Sequence, residues 1–257
     1  MIVDSHVHLW NLERSGYPWL GSDFGPIART FEPEELETEL RCAGVDRAVL
    51  VQADNSRADT ELMLELAAAH DWIAGVVGWA PLDDPDAVDV RGLIGVRDLV
   101  HSMRDPGWLL RPTVHESLRL IAGRGVVFEL PDSYPGFLKH VPALAEAVPG
   151  LTIVVDHLGK PPFRGDLDDW GRQLIAAAEH PQVVAKLSGL WYEDEVRPAV
   201  ELALQAFGPE RIMYGSDWPV AILGGGYQRV WEQTLALLDD TNREAILGGN
   251  ALRVYGL

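Results

Sequence analysis

The sequence has 257 residues, of which 47% are hydrophobic and 23% charged, and its formal net charge at pH 7 is -18. This is the composition of a globular chain with enough apolar residues for one large core, and no apolar run reaches the ~18 residues that a membrane-spanning helix needs. The strong negative charge, without a basic stripe, argues against nucleic acid or an anionic membrane as a partner.

The cysteine content and the first residues bear on the compartment and on the kind of metal site. Cys42 is the only cysteine in the sequence, which excludes an internal disulfide and a cysteine-based metal cluster. The chain starts Met1-Ile2-Val3 with neither a basic segment nor a cleavable apolar segment, so we expect a cytoplasmic protein. Histidines and carboxylates are the remaining candidate metal ligands.

Short β-branched runs alternate with longer amphipathic stretches, a pattern typical of βα units and a parallel sheet. Eight strands are predicted, at 2–8, 47–53, 73–79, 93–97, 126–130, 152–156, 183–187 and 212–216. Helical periodicity predicts helices at 33–43, 58–70, 113–123, 137–148, 168–180, 194–207 and 228–238. Gly123 and Gly125 close the third of these, and a capping box at 241–244, Thr-Asn-Arg-Glu, opens one last helix.

Eight βα units in a chain of this length predict an α/β fold, a TIM (β/α)8 barrel, with residues 1–257 as a single domain. Closing eight strands into a barrel removes both sheet edges. The third crossover is the exception to the pattern, because 83–90 has room for barely two turns and carries Pro85 near its start. We expect a short or absent helix there.

Ionisable residues stand at the ends of most predicted strands, where the catalytic groups of such barrels gather. His6 and His8 are two positions apart, so on a strand both side chains face the barrel interior. With His157 and Asp217 they form three nitrogens and one carboxylate, a set that suits zinc or a similar divalent ion with room for water. We favour this over an incidental pair of histidines, and we expect Asp4 to orient one of them.

Other polar and aromatic residues at or after strand ends are candidate substrate contacts, with packing or the pairing of a buried neighbour as an equal alternative. The charged or ionisable candidates are Arg97, His101, Glu129, Lys160 and Lys186. The aromatic candidates, in loops that follow strands, are Trp10, Tyr17, Trp19, Trp191 and Trp218.

Longer motifs carry a resemblance to a known family. They are Asp4-Ser5-His6-Val7-His8-Leu9-Trp10, Tyr17-Pro18-Trp19-Leu20, Asp156-His157-Leu158-Gly159-Lys160-Pro161, Lys186-Leu187-Ser188-Gly189-Leu190 and Gly215-Ser216-Asp217-Trp218-Pro219. In combination, along the whole chain, they resemble the amidohydrolase-related (amidohydrolase 2) TIM-barrel lactonases, and in particular the L-fuconolactonase and L-rhamnonolactonase type. The resemblance implies a barrel that hydrolyses a lactone, with or without a metal.

The resemblance also implies roles for individual residues. His6, His8, His157 and Asp217 match the family's central site, and Arg97 and His101 match its substrate contacts. The chain departs from the family pattern in its short crossover before the fourth strand and in Asp98, which follows Arg97 where a histidine is common. These departures bear on the substrate rather than on the reaction type.

We therefore expect an enzyme that opens a small sugar-acid lactone to its hydroxy acid by attack of activated water. His157 and Asp217 are the expected catalytic residues, with Asp217 accepting the proton of the water. Zinc is the expected metal, manganese is an alternative, and catalysis without a metal stays open. Few cations end strands, which favours a neutral polyhydroxylated lactone over a dicarboxylate, although the loop residues Arg104 and Arg164 bear on that balance.

Two other functions are compatible with the same residues. A zinc-dependent decarboxylase of an aromatic acid can use a similar set of histidines and a carboxylate on the same barrel. A barrel that binds a sugar lactone without hydrolysing it is the alternative outside enzymes, and the complete four-residue set argues against it. Nothing in the sequence bears on the oligomeric state.

Overall fold

The computed structural model describes residues 1–103, 105–162, 165–190 and 196–257. Eight parallel strands pair in chain order: β1 (Val3–Val7), β2 (Arg47–Val51), β3 (Ile73–Gly78), β4 (Gly95–Arg97), β5 (Val127–Leu130), β6 (Ile153–Val155), β7 (Val183–Leu187) and β8 (Ile212–Tyr214). The ring closes where the amide N–H of Asp217 donates to the carbonyl of His6 at 2.9 Å and Val7 lies beside Trp218. The predicted TIM barrel is confirmed.

Helices on the outside of the barrel connect the strands. They are α1 (Pro33–Ala43), α2 (Arg57–Ala69), α3 (Pro112–Ala122), α4 (Val141–Ala147), α5 (Asp168–Ala178), α6 (Arg197–Phe207) and α7 (Tyr227–Leu237). The first of them begins at Pro33 with a capping box between Glu32 and Glu35 and ends at Gly44, which has the left-handed conformation that glycine adopts without strain. The first residues of the helix predicted at 194–207, 194 and 195, lie outside the described residues. Among the described residues, no helix combines the length and apolarity needed to cross a membrane.

The third crossover is reduced, as predicted. Between β3 and β4 the described chain forms a single 3-10 turn, Pro85–Ala87, in place of an α-helix. Proline starts such a turn readily, but the short segment leaves no length for a helix that packs on the barrel.

The capping box predicted to open the last helix is wrong. That helix, α8 (Asp240–Glu244), has Asp239 as its N-cap, two residues before the predicted one, and the hydroxyl of Thr241 contacts the side chain of Asn242 at 3.5 Å instead of capping a backbone N–H. The chain then passes through a π-helical turn, Ala245–Gly249, into α9 (Asn250–Tyr255). A Cβ atom on Gly248 would collide with the carbonyl oxygen of Met1, so this segment lies directly against the start of β1.

A register shift in β1 decides which side chains reach the barrel interior. The pairing of β1 with β2 shifts between Asp4 and Val7, so residues on either side of the shift do not keep a simple alternation. Val3 packs with the valines inside the barrel, whereas the Asp4 carboxylate accepts a hydrogen bond from Tyr227 of α7 at 2.9 Å. Asp4 therefore points away from the inner face, and the expectation that it orients a histidine holds only through the backbone of His6. Asp4 accepts the backbone N–H groups of His6 at 3.1 Å and Ser216 at 3.0 Å.

Candidate active site

The structure brings together the four residues that the sequence predicts as metal ligands. The ligand atoms of His6, His157 and Asp217 lie within 4.8 Å of one another. The Nε2 atom of His8 lies 3.2 Å from Asp217 Oδ1, and the Nε2 atom of His6 lies 3.7 Å from the same oxygen. All four side chains are buried at the carboxyl end of the barrel, so β1 and the turns after β6 and β8 converge on one point.

Backbone strain accompanies this convergence. His157 and Asp217 have φ angles of 55° and 60°, in the left-handed region that costs a residue with a Cβ about 1–2 kcal/mol. Two glycines leave room for the rings: a Cβ on Gly189 would collide with His157 Nδ1, and one on Gly215 would lie 2.6 Å from the Cβ of His6. Ser188 then fixes the His157 ring through a 2.8 Å hydrogen bond to Nδ1.

The chemistry of these groups fits a bound cation. His8 Nδ1 donates to the carbonyl of Val51 at 2.7 Å, so in the neutral ring the lone pair of Nε2 faces the carboxylate of Asp217. Among the described residues the buried Nε2 of His6 has no hydrogen-bond partner. Burial lowers the pKa of His6 and of His157, which favours neutral rings. Burial alone would raise the pKa of Asp217, but the three histidines outweigh it and hold that pKa below its ordinary value.

A buried cluster of charges lies behind His6. The ammonium of Lys186 donates to Glu129 at 2.6 Å and lies 3.3 Å from Asp156 and 3.2 Å from His6 Nδ1. The other oxygen of Asp156 is 3.1 Å from Arg97 Nε. Burial alone would raise the pKa of Asp156, but Lys186, His6 and Arg97 outweigh it and hold that pKa well below its usual range. Burial raises the pKa of Glu129 to about 7, although Lys186 opposes that shift.

This cluster corrects the predicted roles of Glu129 and Lys186. Both side chains are completely buried and paired with each other, and Tyr255 of α9 donates a hydrogen bond to Glu129 from the other side. Neither lines the cavity at the carboxyl end of the barrel, so direct contact with a ligand there is not available to them. The spacing of His6, Glu129 and Asp156 would also fit a metal ion, but the ammonium of Lys186 already supplies a cation among these groups.

A cavity of about 560 Å³ opens at the carboxyl end of the barrel. His8, His157 and Asp217 form part of its wall, and the predicted substrate contacts Arg97, His101 and Lys160 line it too. Asp132 adds a second carboxylate, and the apolar part of the wall consists of Trp19, Phe24, Ala53, Leu99, Val220 and Leu223. The cavity therefore combines polar and apolar lining residues, as small-molecule sites commonly do.

Trp10 and Trp218 do not line this cavity, contrary to prediction. Both are buried. The indole N–H of Trp10 donates to the carbonyl of Arg29 at 2.7 Å, and its ring stacks 6.1 Å from that of His8. Trp218 packs edge-on against Phe31 at 5.0 Å. Both rings therefore pack against neighbouring side chains rather than against the cavity. The candidates Trp191, Arg104 and Arg164 lie outside the described residues.

Asp98 belongs to a network that holds the ends of β2 and β4 together beside Arg97. Its carboxylate accepts a 2.7 Å hydrogen bond from Asn55, and Asn55 in turn accepts from Gln52 at 3.1 Å. Gln52 donates to the carbonyl of Arg97 at 3.1 Å and accepts from the Arg97 guanidinium at 2.8 Å through its own carbonyl. Burial raises the pKa of Asp98 to about 7, although the hydrogen bond from Asn55 opposes that shift.

Asp98→Asn is expected to stabilise the protein more at pH 8 than at pH 5. A carboxyl whose pKa is raised on folding stabilises the fold while it is protonated, and this contribution is lost as the pH rises from about 4 to about 7. Asparagine keeps the acceptor for Asn55 and does not ionise, so the gain over the wild type should grow by about 2–3 kcal/mol between pH 5 and pH 8. Thermal denaturation of both proteins at a series of pH values measures it. A gain that is the same at pH 5 and pH 8 would contradict the prediction, and Asp86→Asn, at an exposed site, serves as the control.

The chain is a TIM barrel whose carboxyl end carries three histidines and an aspartate beside a cavity, a donor set that fits a divalent ion. The amidohydrolase family model matches residues 3–257, and the chain belongs to this family. It is 33% identical to an L-fucono-1,5-lactonase of Burkholderia ambifaria, over 98% of this chain and 94% of that protein. It is 32% identical to an L-fucono-1,5-lactonase of Burkholderia multivorans, over 99% of this chain and 96% of that protein.

A solved structure agrees with these sequence relatives. The crystal structure of an amidohydrolase from Burkholderia multivorans with bound zinc superposes with a TM-score of 0.92 at 29% identity, over all of this chain and 99% of that one. The resemblance predicted from the motifs is confirmed.

Proposed function

We propose that this protein is a hydrolase that opens a sugar-acid lactone to its hydroxy acid by attack of water. One observation carries the proposal: Asp217, His8 and His157 line a cavity large enough for a sugar ring, and His6 lies directly beside Asp217. Two relatives that share about a third of their residues with almost the whole chain are named L-fucono-1,5-lactonases, and this supports the reaction class. We place the activity in the cytoplasm, where the free thiol of Cys42 is compatible with a reducing environment.

A divalent ion is the cofactor that the donor set fits, held by His6, His8, His157 and Asp217. Zinc is the first candidate, because three imidazole nitrogens and a carboxylate suit it and a related amidohydrolase was solved with zinc. Manganese is the second candidate. When bound, such an ion acts as a Lewis acid and favours the deprotonation of water near neutral pH.

Five side chains of the protein carry out the remaining steps of the proposed reaction. Asp217 accepts the proton of the attacking water at its carboxylate and returns it to the ring oxygen that leaves. His157, held by Ser188, positions that water beside Asp217. Arg97 and His101 line the cavity and donate hydrogen bonds to the oxyanion that forms when water attacks the lactone carbonyl. Lys160, which donates to the carbonyl of Gly189 at 3.0 Å, contacts the substrate from the same wall.

Proton release during incubation with a panel of aldonolactones tests this proposal. Protein loaded with zinc or manganese is expected to open at least one lactone, and removal of the metal with a chelator is expected to lower the rate at least ~100-fold, because water then loses its activation. Metal content is measured on the same samples. The lactonase proposal fails if no lactone is opened. Release of carbon dioxide from an aromatic acid would then identify a decarboxylase. Binding of a lactone without turnover would identify a non-catalytic binding protein. An unchanged rate after chelation would show that Asp217 and the histidines act on water without a metal.

A further inference from the structure

Asp132 is a cavity residue for which the reaction described above has no use. It follows β5, which lies four strands from β1 in the closed ring and so stands across the barrel mouth from His6 and His8. Its side chain lines the cavity together with Arg97, His101 and Lys160. A ligand that fills this cavity therefore meets the side chains of both Asp217 and Asp132.

The backbone holds this carboxylate in place. Asp132 has a φ angle of 39°, in the left-handed region that residues with a Cβ rarely adopt. The neighbouring loop is anchored to the turn after β6, because the N–H of Tyr134 donates to the carbonyl of Gly159 at 2.8 Å. The N–H of Phe137 also donates back to the carbonyl of Ser133 at 2.6 Å. Strained residues of this kind gather at ligand sites, where the surrounding structure fixes them.

One oxygen of the carboxylate has its hydrogen-bonding capacity unused. Asp132 Oδ1 is buried and has no hydrogen-bond partner among the described residues. Its negative charge acts on two cavity residues: burial lowers the pKa of His157 and of His101, and Asp132 opposes the shift in both. An ionised carboxylate only accepts hydrogen bonds, and a buried acceptor without a donor is costly. A ligand that brings a hydroxyl group to this oxygen removes that cost.

We infer that Asp132 is a specificity-determining residue that accepts a hydrogen bond from a ring hydroxyl of the substrate. The inference rests on the proposed lactonase function and sharpens its substrate class to polyhydroxylated lactones without a free carboxylate. A hydroxyl donates to Oδ1, whereas an alkyl carbon at the same place leaves the acceptor unpaired and a carboxylate brings a second negative charge beside it. Asp132 thus favours hydroxylated lactones through a hydrogen bond and disfavours carboxylated lactones through charge repulsion.

The test compares wild type, Asp132→Ala and Asp132→Asn on three lactones: a hydroxylated aldono-1,5-lactone, unsubstituted δ-valerolactone and a lactone that carries a free carboxylate. Asp132→Ala is expected to lower kcat/KM about 10- to 100-fold on the hydroxylated lactone, mainly through KM, and to change it less than about 2-fold on δ-valerolactone. Asp132→Asn is expected to raise kcat/KM on the carboxylated lactone at least ~5-fold, because it removes the like charge. Asp86→Ala, which removes an exposed carboxylate outside the cavity, is expected to change none of the three.

Equal losses on the hydroxylated and unsubstituted lactones would overturn the inference, since they would assign Asp132 to the chemistry or to the fold. No loss on either would overturn it as well. Both outcomes leave the lactonase function intact, because wild-type turnover reports on that function separately. A wild type that opens none of the three lactones, nor any of a wider aldonolactone panel, would remove the proposed function and this inference together.

Discussion

Replacing Asp217 with asparagine is expected to lower kcat/KM for lactone opening by about three orders of magnitude and to leave the protein folded. The Asp217 carboxylate faces two of the histidines: Oδ1 lies 3.2 Å from His8 Nε2 and 3.7 Å from His6 Nε2. The facing histidines keep its pKa low, so it is ionised at neutral pH and can take a proton from water. An amide of the same shape can neither accept that proton nor balance a cation.

The fold should tolerate this change. Asparagine adopts left-handed backbone conformations more readily than most residues, and Asp217 has a φ angle of 60°. Its backbone N–H still donates to the carbonyl of His6. The midpoint of thermal unfolding, measured beside kcat/KM, separates the two effects, with the exposed Asp86→Asn as the matched control. Retention of more than about a tenth of the activity would contradict a catalytic role for Asp217. So would a fall in the unfolding midpoint large enough for the variant to be unfolded at the assay temperature.

The sequence carries enough information to predict the barrel and the meeting point of its functional groups. Strand and helix periods differ, and every strand of a parallel barrel points its carboxyl end to one face, so His6, His157 and Asp217 could be placed together without coordinates. The reduced third crossover followed from chain length and Pro85. The start of α8 is not predictable in this way, because a helix cap depends on one side-chain contact, and the hydroxyl of Thr241 contacts the side chain of Asn242 instead.

The local sequence pattern predicts which face of a strand a side chain occupies, but it does not predict how deep in the barrel that side chain lies. Lys186 and Glu129 lie at strand ends in the sequence, but strand tilt and stagger decide that they pair behind His6 rather than at the cavity. Asp4 shows a second limit, since one irregularity in β1 turns it toward α7. Asp132 was missed because it stands two residues beyond the end of β5, behind Pro131. The one sequence feature that could have indicated a functional role for Asp132 is its position just after a strand.

Lys186→Met is expected to lower the free energy of unfolding by about 3–5 kcal/mol, the cost of breaking a buried ion pair by removing one partner. The ammonium is completely buried, donates to Glu129 at 2.6 Å and lies 3.3 Å from Asp156. Methionine fills a similar volume but leaves two buried carboxylates with less positive charge beside them. Chemical denaturation at pH 7 measures the loss.

The double variant Lys186→Met/Glu129→Gln separates charge from packing. It removes both members of the pair, and the glutamine side chain still offers an oxygen to Tyr255, so we expect it to recover at least half of the stability lost by Lys186→Met. The matched control is Arg41→Met, which breaks an exposed pair with Glu37 at 2.8 Å and should cost less than about 0.5 kcal/mol. If Lys186→Met costs no more than this control, the buried charges do not hold the barrel together. If the double variant is no more stable than Lys186→Met, the loss comes from packing, and the position of His6 is fixed by the shape of the side chains around it rather than by the ammonium behind it.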